Sequence, residues 1–301
     1  MIKRYISFLG LDETLKLLEA NEKPLIQSIR VNTLKISITS LKKLLEKKGV
    51  LLEPIEWIPY GFKVGKEAQN LGSSHEYLQG YYYLQNIASM LPAMILNPKS
   101  DETVIDMCAA PGSKATQLAQ IMKNEGRLIL IEKNKRRIPS LEINLRRMGI
   151  TNSIVLNFDA LNIKRLNLKA DKILLDAPCT GEGLIKDDAE RKTSKTQHDI
   201  NKLATIQKKL LNAGIQCLKP GGQLLYSTCS IAPEENELVI DSIIRENKDF
   251  SIKKIEPKYG INGLIQVFNQ SLNQDLQFAQ RLYPHLHDTI GFFLCLIERT
   301  N

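Results

Sequence analysis

Residues 103–114 have the sequence TVIDMCAAPGSK, in which an apolar run of strand length leads into a loop of mostly small residues. The run predicts a buried β-strand, and the residues from Ser113 onwards predict a helix. Small side chains let the backbone approach a ligand closely at a helix N-terminus, and cofactors bind at the carboxyl ends of strands in open α/β sheets. We therefore expect a cofactor-binding loop here. Its residues are Cys108, Ala109, Ala110, Pro111, Gly112, Ser113 and Lys114.

The same loop restricts the class of ligand. It contains neither the GxGxxG fingerprint of dinucleotide-binding domains nor the GxxxxGK[ST] pattern of P-loop proteins. Both ligand classes are therefore disfavoured. Considered alone, the loop could also be a tight turn between a strand and a helix that binds nothing.

From Thr103 onwards, short apolar runs alternate with amphipathic segments of helix length. This alternation is typical of a parallel sheet with crossover helices, and it predicts a Rossmann-like α/β domain. The predicted strands are TVIDM (103–107), RLILIE (127–132), NSIVLN (152–157), KILLD (172–176) and QLLYST (223–228), and helices are expected to begin near Ser113, Lys135, Asp199 and Pro233. The last apolar run, GFFLCLIE (291–298), has no helix after it and is expected to be an edge or antiparallel strand.

The first part of the chain has a different pattern. Residues 27–32 and 62–64 predict strands on either side of a helix at 40–48, in which Leu41, Leu44 and Leu45 share one face. These elements predict a small α+β module over residues 1–92, followed by the α/β domain over residues 93–301. The boundary is expected between residues 80 and 97, because the aromatic run there could pack against either unit.

Composition excludes several classes of protein. The 301 residues contain no run of about 20 apolar residues that could form a membrane helix, and the N-terminus lacks an apolar signal sequence. We therefore expect a soluble, cytoplasmic protein. Its five cysteines are an odd number without a CxxC pair, and no histidine lies at metal-ligand spacing. Neither a disulfide framework nor a metal site is expected, and no obligate protein partner is evident.

The chain carries a formal net charge of +8, which favours a polyanionic partner because lysine and arginine displace counterions from phosphates. A solvated lysine-rich surface is the alternative. Six basic residues are clustered around one predicted helix and face only Glu142. They are Lys133, Lys135, Arg136, Arg137, Arg146 and Arg147. This clustering favours nucleic acid.

Acidic residues follow the next predicted strands. Glu132 ends the second strand, where a carboxylate can accept hydrogen bonds from a ribose diol. Asp159 follows the third strand, where it could bind the amino group of adenine, and Asp176 ends the fourth. An isolated acid at a strand end is usually a turn or cap residue. Successive strand ends that carry a small-residue loop and then acids favour a nucleoside-containing cofactor.

Two of the cysteines also follow strand ends. Cys179 lies in DAPCTG after the fourth strand and Cys229 in STCS after the fifth, on the same edge as the cofactor loop. Cys217 and Cys295 lie within apolar runs and are expected to be buried packing residues. An ordinary thiol has a pKa near 8.5, so a nucleophilic cysteine needs electropositive surroundings.

Over nearly its whole length the chain resembles the Nol/Nop/Sun family of RNA cytosine-5 methyltransferases. The matching segments are RVNTL (30–34), DMCAAPGSK (106–114), DAPCTG (176–181), LKPGGQLLYSTCS (218–230), PEENE (233–237) and PH (284–285) before GFF (291–293). The resemblance implies a class I S-adenosylmethionine-dependent methyltransferase domain with an N-terminal RNA-binding module. Two departures, Ser113 for a common glycine and Ala115 for a frequent threonine, are both small.

The resemblance also implies roles for individual residues. Cys229 would be the nucleophile that adds to carbon 6 of cytosine, and Cys179 would assist product release. Asp176 would hydrogen-bond or protonate ring nitrogen 3, and it would also line the S-adenosylmethionine site with the small-residue loop, Glu132 and Asp159. Arg137 matches a position that approaches the cofactor in some close relatives, although it could equally face RNA.

The expected substrate is tRNA, because compact relatives often modify tRNA. Ribosomal RNA is the alternative within the same chemistry. A non-catalytic RNA-binding or ribosome-assembly factor would be expected to lack a cysteine or a cofactor acid, and none is missing. In DNA cytosine methyltransferases the nucleophile follows the fourth strand, and a TCS motif is not required.

Overall fold

The computed structural model describes residues 1–65 and 70–300. Two helices come first, followed by a four-stranded antiparallel sheet with the strand order β2-β3-β1-β4. The bounds are α1 (Ile2–Leu9), α2 (Leu11–Asn21), β1 (Ser28–Val31), α3 (Ile38–Glu46), β2 (Leu52–Ile55), β3 (Ile58–Val64), α4 (His75–Leu78) and β4 (Tyr82–Leu84).

Helix α3 covers one face of this sheet. It begins after Ser37, whose hydroxyl accepts a hydrogen bond from the backbone N–H of Ser40 at 3.1 Å. Leu41 and Leu45 are buried in the core between α3 and the sheet, as predicted, whereas Leu44 is exposed. Successive helical residues are about 100° apart, so Leu44 lies at the edge of the narrow stripe that the sheet covers.

A nine-stranded sheet forms the second unit, with the order β11-β14-β15-β9-β8-β5-β6-β7, and β10 also pairs with β15. Its strands are β5 (Thr103–Asp106), β6 (Arg127–Glu132), β7 (Ser153–Asn157), β8 (Ala170–Asp176), β9 (Leu218–Thr228), β10 (Phe250–Lys253), β11 (Ile261–Asn262), β14 (Gln280–Leu282) and β15 (Phe292–Arg299), and a separate hairpin consists of β12 (Gln266–Val267) and β13 (Gln270–Ser271). The helices are α5 (Ile87–Leu96), α6 (Ser113–Ile121), α7 (Ile138–Met148), α8 (Gln197–Ile215), α9 (Glu237–Glu246) and α10 (Pro284–His287).

The strands β5 to β9 pair in parallel, which confirms the predicted Rossmann-like fold. Strand β15 is antiparallel to β9, as expected, but it lies inside the sheet because β14 and β10 also pair with it. The short strands between α9 and β15 were not predicted. The chain adds β6 and β7 on one side of β5 and then β8 and β9 on the other side. This reversal leaves a crevice at the carboxyl ends of the parallel strands, next to β5.

The two predicted domains are closely joined. Helix α5 spans the predicted boundary between residues 92 and 93 and is packed against α6, β8, β9 and β15. The buried Arg30 of β1 donates to the carbonyl of Ser113 at 3.1 Å and to the hydroxyl of Thr116 at 2.7 Å, so the first sheet rests on the start of α6. The division at residues 92 and 93 stays a prediction.

Helices α1 and α2 pack on the second unit. Tyr5 and Leu17 are buried in one cluster with Ile231 and Tyr283. Arg4 forms ion pairs with Glu182 and Glu234, the latter at 3.0 Å. The first 21 residues therefore contact the loops at the carboxyl edge of the large sheet.

In the described part of the chain, no helix is both long and apolar enough to cross a membrane. The same residues contain no group of three or more histidine, cysteine, aspartate or glutamate side chains that could hold a metal ion. The cytoplasmic location stays a prediction.

Candidate active site

The small-residue loop turns sharply between β5 and α6. Gly112 has a φ of 106°, a left-handed conformation that favours glycine, and a Cβ there would lie 3.0 Å from Leu141 Cδ1. Ala109 N donates to the carbonyl of Ile131 at 3.0 Å, which ties the loop to β6. Pro111 O accepts from Asn144 Nδ2 at 2.9 Å. The backbone is therefore held close to the strand ends.

A cleft of about 640 Å³ opens beside this loop. The predicted site residues that line it are Cys108, Ala110, Glu132, Arg137, Asp159, Asp176, Cys179 and Cys229. Four residues of the predicted loop, Ala109, Pro111, Gly112 and Ser113, support the turn without lining the cleft, and Lys114 reaches the site through Asp176.

The two acids expected to bind a nucleoside are held at the rim of the cleft. Glu132 is buried, and its Oε1 accepts from Asn134 N at 2.7 Å. Asp159 Oδ1 accepts from Leu161 N at 3.1 Å, and Oδ2 pairs with Lys133 Nζ at 2.6 Å. Burial raises the pKa of Asp159, but the hydrogen bonds from Lys133 and Leu161 N, together with the Lys133 charge, lower it below its ordinary value. A carboxylate oxygen can accept more than one hydrogen bond, so both acids can still receive a donor.

The basic residues do not all lie within one helix, contrary to the prediction. Lys133 pairs with Asp159, and Arg137 donates to the carbonyl of Ala110. Arg147 lies over the ring of Tyr77 at 4.0 Å and donates to the carbonyl of Tyr77 at 2.7 Å.

All members of the cluster except Arg147 are exposed, and Lys135, Arg136 and Arg146 are the exposed members that do not line or brace the cleft. Residues 135–137 form a 3₁₀ turn before α7, and only Arg146 and Arg147 of the cluster lie in the helix itself.

The two candidate catalytic thiols lie in contact. Cys179 follows β8 and Cys229 follows β9, and their Sγ atoms are 3.3 Å apart. The contact arises because β8 and β9 are neighbouring parallel strands in which Asp176 pairs with Ser227. Cys217 and Cys295 are buried in the core, as predicted.

Close backbone packing supports the turn after β9. The backbone N–H of Gly183 donates to the carbonyl of Cys229 at 3.0 Å, and Gly291 N donates to the carbonyl of Gly183 at 2.8 Å. A Cβ at Gly183 would lie 2.2 Å from Gly291 O, so only glycine fits there.

Asp176 links the thiols to the cofactor loop. Ser227 Oγ donates to Asp176 Oδ1 at 2.8 Å, and Lys114 Nζ pairs with Oδ2 at 2.6 Å. Burial disfavours the charged form of Lys114, but the carboxylate of Asp176 outweighs it and raises the pKa. Lys114 is therefore a cation beside the active thiols.

These contacts make the two thiols different. A hydrogen bond from Cys179 to the sulfur of Cys229 lowers the pKa of Cys229, and the Lys114 ammonium acts in the same direction against burial and Asp176. The same hydrogen bond and burial raise the pKa of Cys179 well above its ordinary value. Because the thiolate is the reactive form of a cysteine, this difference favours Cys229 as the candidate nucleophile.

Models of known protein families match the sequence along nearly the whole chain. The sequence model described as 16S rRNA methyltransferase RsmB/F matches residues 93–298, and the one described as the N-terminal domain of 16S rRNA methyltransferase RsmF matches residues 1–87. The chain belongs to the RsmB/F methyltransferase family. This membership confirms the family resemblance seen in the sequence. RsmB/F enzymes depend on S-adenosylmethionine, and the acids and small-residue loop around the cleft fit that cofactor.

Relatives extend the comparison. The chain is 36% identical to the 28S rRNA (cytosine-C(5))-methyltransferase of Mus musculus, a match that covers 99% of this chain and 38% of the mouse protein. A methyltransferase homologue from Pyrococcus horikoshii has 41% identity and a TM-score of 0.90, with coverage of 99% and 93% of the two chains. NSun6 from Pyrococcus horikoshii, solved with SFG, has 28% identity and a TM-score of 0.89, with coverage of 100% and 97%.

Several residues that support the RsmB/F-family site were not singled out from the sequence. Asp106 is fully buried beneath the loop, where its Oδ1 accepts from Cys108 N at 3.2 Å and burial raises its pKa to about 7. Arg191 lines the cleft and donates to the carbonyl of Thr180 at 2.9 Å.

Asn236 is another such residue, and it fixes the turn that carries Cys229. It accepts from Thr228 Oγ1 at 2.6 Å and donates to the carbonyl of Ser230 at 2.9 Å. The sequence analysis could have selected Asn236 because it lies in the PEENE segment. That segment does not indicate which residues Asn236 contacts.

Proposed function

We propose that this chain is an S-adenosylmethionine-dependent RNA (cytosine-5)-methyltransferase in which Cys229 is the nucleophile and Cys179 assists release. The observation that carries the proposal is the contact between the two thiols at the ends of adjacent parallel strands, beside the cleft. The chain spans about 38% of the length of its mouse relative, so activity and substrate are proposed for the chain itself.

The residues proposed to hold the cofactor are the loop from Cys108 to Lys114, together with Glu132, Arg137, Asp159 and Asp176. Glu132 would accept hydrogen bonds from the ribose hydroxyls and Asp159 from the adenine amino group. Arg137 is half exposed and forms an ion pair with Glu132 at 3.5 Å. When bound, S-adenosylmethionine supplies an electrophilic methyl group on its sulfonium sulfur.

The thiolate of Cys229 is proposed to add to carbon 6 of the target cytosine. A carbon–sulfur bond forms, the double bond between carbons 5 and 6 opens, and carbon 5 becomes nucleophilic enough to take the methyl group. Asp176, held by Lys114 and Ser227, would accept a hydrogen bond from ring nitrogen 3 after that nitrogen takes up a proton from water during the addition, and that proton would return to water on release.

Release requires two bonds to break. The carbon 5 proton passes to Cys179, once that thiol has lost its own proton, or to a water that Cys179 positions. The double bond then re-forms, the bond from carbon 6 to sulfur breaks, and Cys229 leaves as a thiolate. The methyl group remains on carbon 5, S-adenosylhomocysteine would be the leaving group of the methyl transfer, and the protons lost from Cys179 and from carbon 5 pass to solvent water.

The proposed RNA surface includes the exposed Lys135, Arg136 and Arg146, and residues 1–92 are proposed to act as an RNA-binding module. Transfer RNA stays the predicted substrate. Ribosomal RNA is the second candidate, because the matched family is described as a 16S rRNA methyltransferase and the mouse relative is named for 28S rRNA.

The test is to incubate the protein with S-adenosylmethionine and either tRNA or rRNA, and to map 5-methylcytosine by bisulfite sequencing. We expect new 5-methylcytosine in one of the two RNAs with the unmodified protein and none with Cys229→Ala. Absence of the modification in both RNAs would overturn the proposed function. Modification of rRNA alone would exclude tRNA as substrate.

A further inference from the structure

Glu235 is a buried carboxylate in the segment that follows the Cys229 turn. Its Oε1 accepts from Thr180 N at 2.8 Å and from Gln207 Nε2 at 3.1 Å, and its Oε2 accepts from Thr180 Oγ1 at 2.5 Å. Among the residues that the structure describes, no lysine or arginine forms an ion pair with it. A buried charge without a counterion is costly, so burial raises the pKa of Glu235, while the hydrogen bonds from Thr180 and Gln207 oppose that rise.

The donors hold both chain neighbours of Cys179. Thr180 follows Cys179 and is bound twice by Glu235. Gln207 of α8, which also donates to Glu235, donates to the carbonyl of Pro178, the residue before Cys179, at 2.9 Å. The Cys179 segment is therefore fixed on both sides by one network.

The same network is attached to the strand that carries Cys229. The hydroxyl of Tyr226 in β9 donates to the backbone carbonyl of Glu235 at 2.6 Å. Glu235 thus connects the end of β9 with the loop after β8, which are the two places where the reactive thiols lie. A shift of either segment would change the distance between Cys179 and Cys229.

We propose that Glu235 is a positioning residue that keeps the two thiols in contact and so allows Cys179 to act in product release. The inference rests on the roles proposed above for Cys229 and Cys179. Charge supports it, because the Glu235 carboxylate is among the groups that raise the pKa of Cys179 and favour its role as hydrogen-bond donor. The titratable groups that face the two thiols are each other, Asp176, Lys114 and Glu235.

The first test needs no RNA. Alkylation of Cys229 and Cys179 by iodoacetamide is followed across pH by site-resolved mass spectrometry, in the unmodified protein and in Glu235→Ala. The hydrogen bond from Cys179 has the largest effect on the pKa of Cys229 and the Glu235 charge one of the smallest, so losing both should raise that pKa. Alkylation of Cys229 at neutral pH should therefore fall by roughly threefold to tenfold. An alkylation profile identical to that of the unmodified protein would overturn the proposal.

Glu237 provides the matched control. It is fully buried two residues further on, but it pairs with Arg281 at 3.0 Å, and it has no hydrogen bond to the Cys179 segment. Glu237→Gln should lower stability and leave the alkylation profiles of both thiols unchanged. If Glu237→Gln changes the alkylation profile of Cys229 as Glu235→Ala does, the change results from a general loss of packing in this segment, and the proposal fails.

Milder variants cover the case in which Glu235→Ala does not fold. Glu235→Gln keeps the side-chain shape and removes the charge that raises the pKa of Cys179, so alkylation of Cys179 should become faster. Thr180→Val removes one hydrogen bond to Glu235. It should slow the alkylation of Cys229, as Glu235→Ala does, but by less. No shift in either variant would contradict the proposed role.

The second test uses RNA and S-adenosylmethionine. Glu235→Ala should still form the covalent adduct on Cys229 but release it more slowly, so a methylated adduct should accumulate. Equal slowing of adduct formation and release would indicate a structural role and overturn the proposal. If the unmodified protein forms no adduct and no product, the proposed function fails, while the alkylation profiles still decide the position of Glu235.

Discussion

The sulfur atoms of Cys179 and Cys229 lie 3.3 Å apart, although 50 positions separate them in the chain. The pairing of β8 with β9 brings the two strand ends together, and the sulfur contact makes one thiol a donor and the other an acceptor. This difference is the basis for the separate chemical steps proposed for the two cysteines.

The first prediction concerns Glu132. If its buried carboxylate accepts hydrogen bonds from the ribose of S-adenosylmethionine, Glu132→Ala should weaken cofactor binding by about 1–3 kcal/mol. Isothermal titration calorimetry measures this change. The control is Glu142→Ala on the outer part of α7, where the side chain pairs with exposed Arg146 and should not affect the cofactor. Unchanged affinity in Glu132→Ala would remove Glu132 from the site.

The second prediction concerns RNA binding by basic residues that face solvent, in contrast to Arg147, which packs against the protein. Replacing both Lys135 and Arg136 with glutamine should weaken RNA binding and reduce the slope of log affinity against log salt by roughly 1–2, because two phosphate contacts are lost. Binding measured at several salt concentrations gives the slope. The same slope in the variant and the unmodified protein would mean that these side chains are only solvated.

Arg147→Met serves as the contrast in that experiment. Arg147 contacts the ring of Tyr77 and backbone carbonyls, so its loss should lower the free energy of unfolding and leave the salt slope unchanged.

The third prediction follows from the buried Asp106. Its pKa is about 7 in the folded protein, against an ordinary value of 3.8, so the folded state binds the extra proton. The contribution of Asp106 to the free energy of unfolding should therefore fall as pH rises from about 4 to 7 and level off above 7, by an amount on the order of 4 kcal/mol. Urea unfolding across this range, without cofactor, measures the effect.

Asp106→Asn keeps the acceptor for Cys108 N and cannot ionise. The difference in unfolding free energy between this variant and the unmodified protein should therefore grow in favour of the variant from pH 4 to 7. A difference that does not change with pH would show that Asp106 is not protonated in the folded state.

Much of the large sheet could be predicted from sequence because its central strands are buried on both faces. Ile173 and Leu174 of β8 face opposite sides of the sheet and are both buried, which produces continuous apolar runs with polar residues at their ends. Parallel strands place those ends on one edge, so the meeting of Cys179 and Cys229 could be expected.

Tertiary partners could not be predicted in the same way. The sequence around Arg147 is basic, but the ring of Tyr77 that turns it inward comes from 70 positions earlier in the chain. A helical pattern can reveal an apolar face of α1 or α2, but it does not reveal which residues cover that face. In the structure, Ile231 and Tyr283 pack against it. Glu235 precedes a helix, where an acid commonly interacts with the helix N-terminus, so its contact with Thr180 was not evident.

The central claim is that Cys229 is the nucleophile and Cys179 assists product release. The most direct test measures the covalent protein–RNA adduct formed by an alanine variant of each cysteine. With RNA and S-adenosylmethionine, Cys179→Ala should accumulate an adduct that survives denaturing electrophoresis and carries the methyl group, because addition and methyl transfer remain possible while release is impaired. Cys229→Ala should form no adduct and no product. An adduct that accumulates with Cys229→Ala and is absent with Cys179→Ala would exchange the two roles, and full activity in both variants would contradict the covalent mechanism.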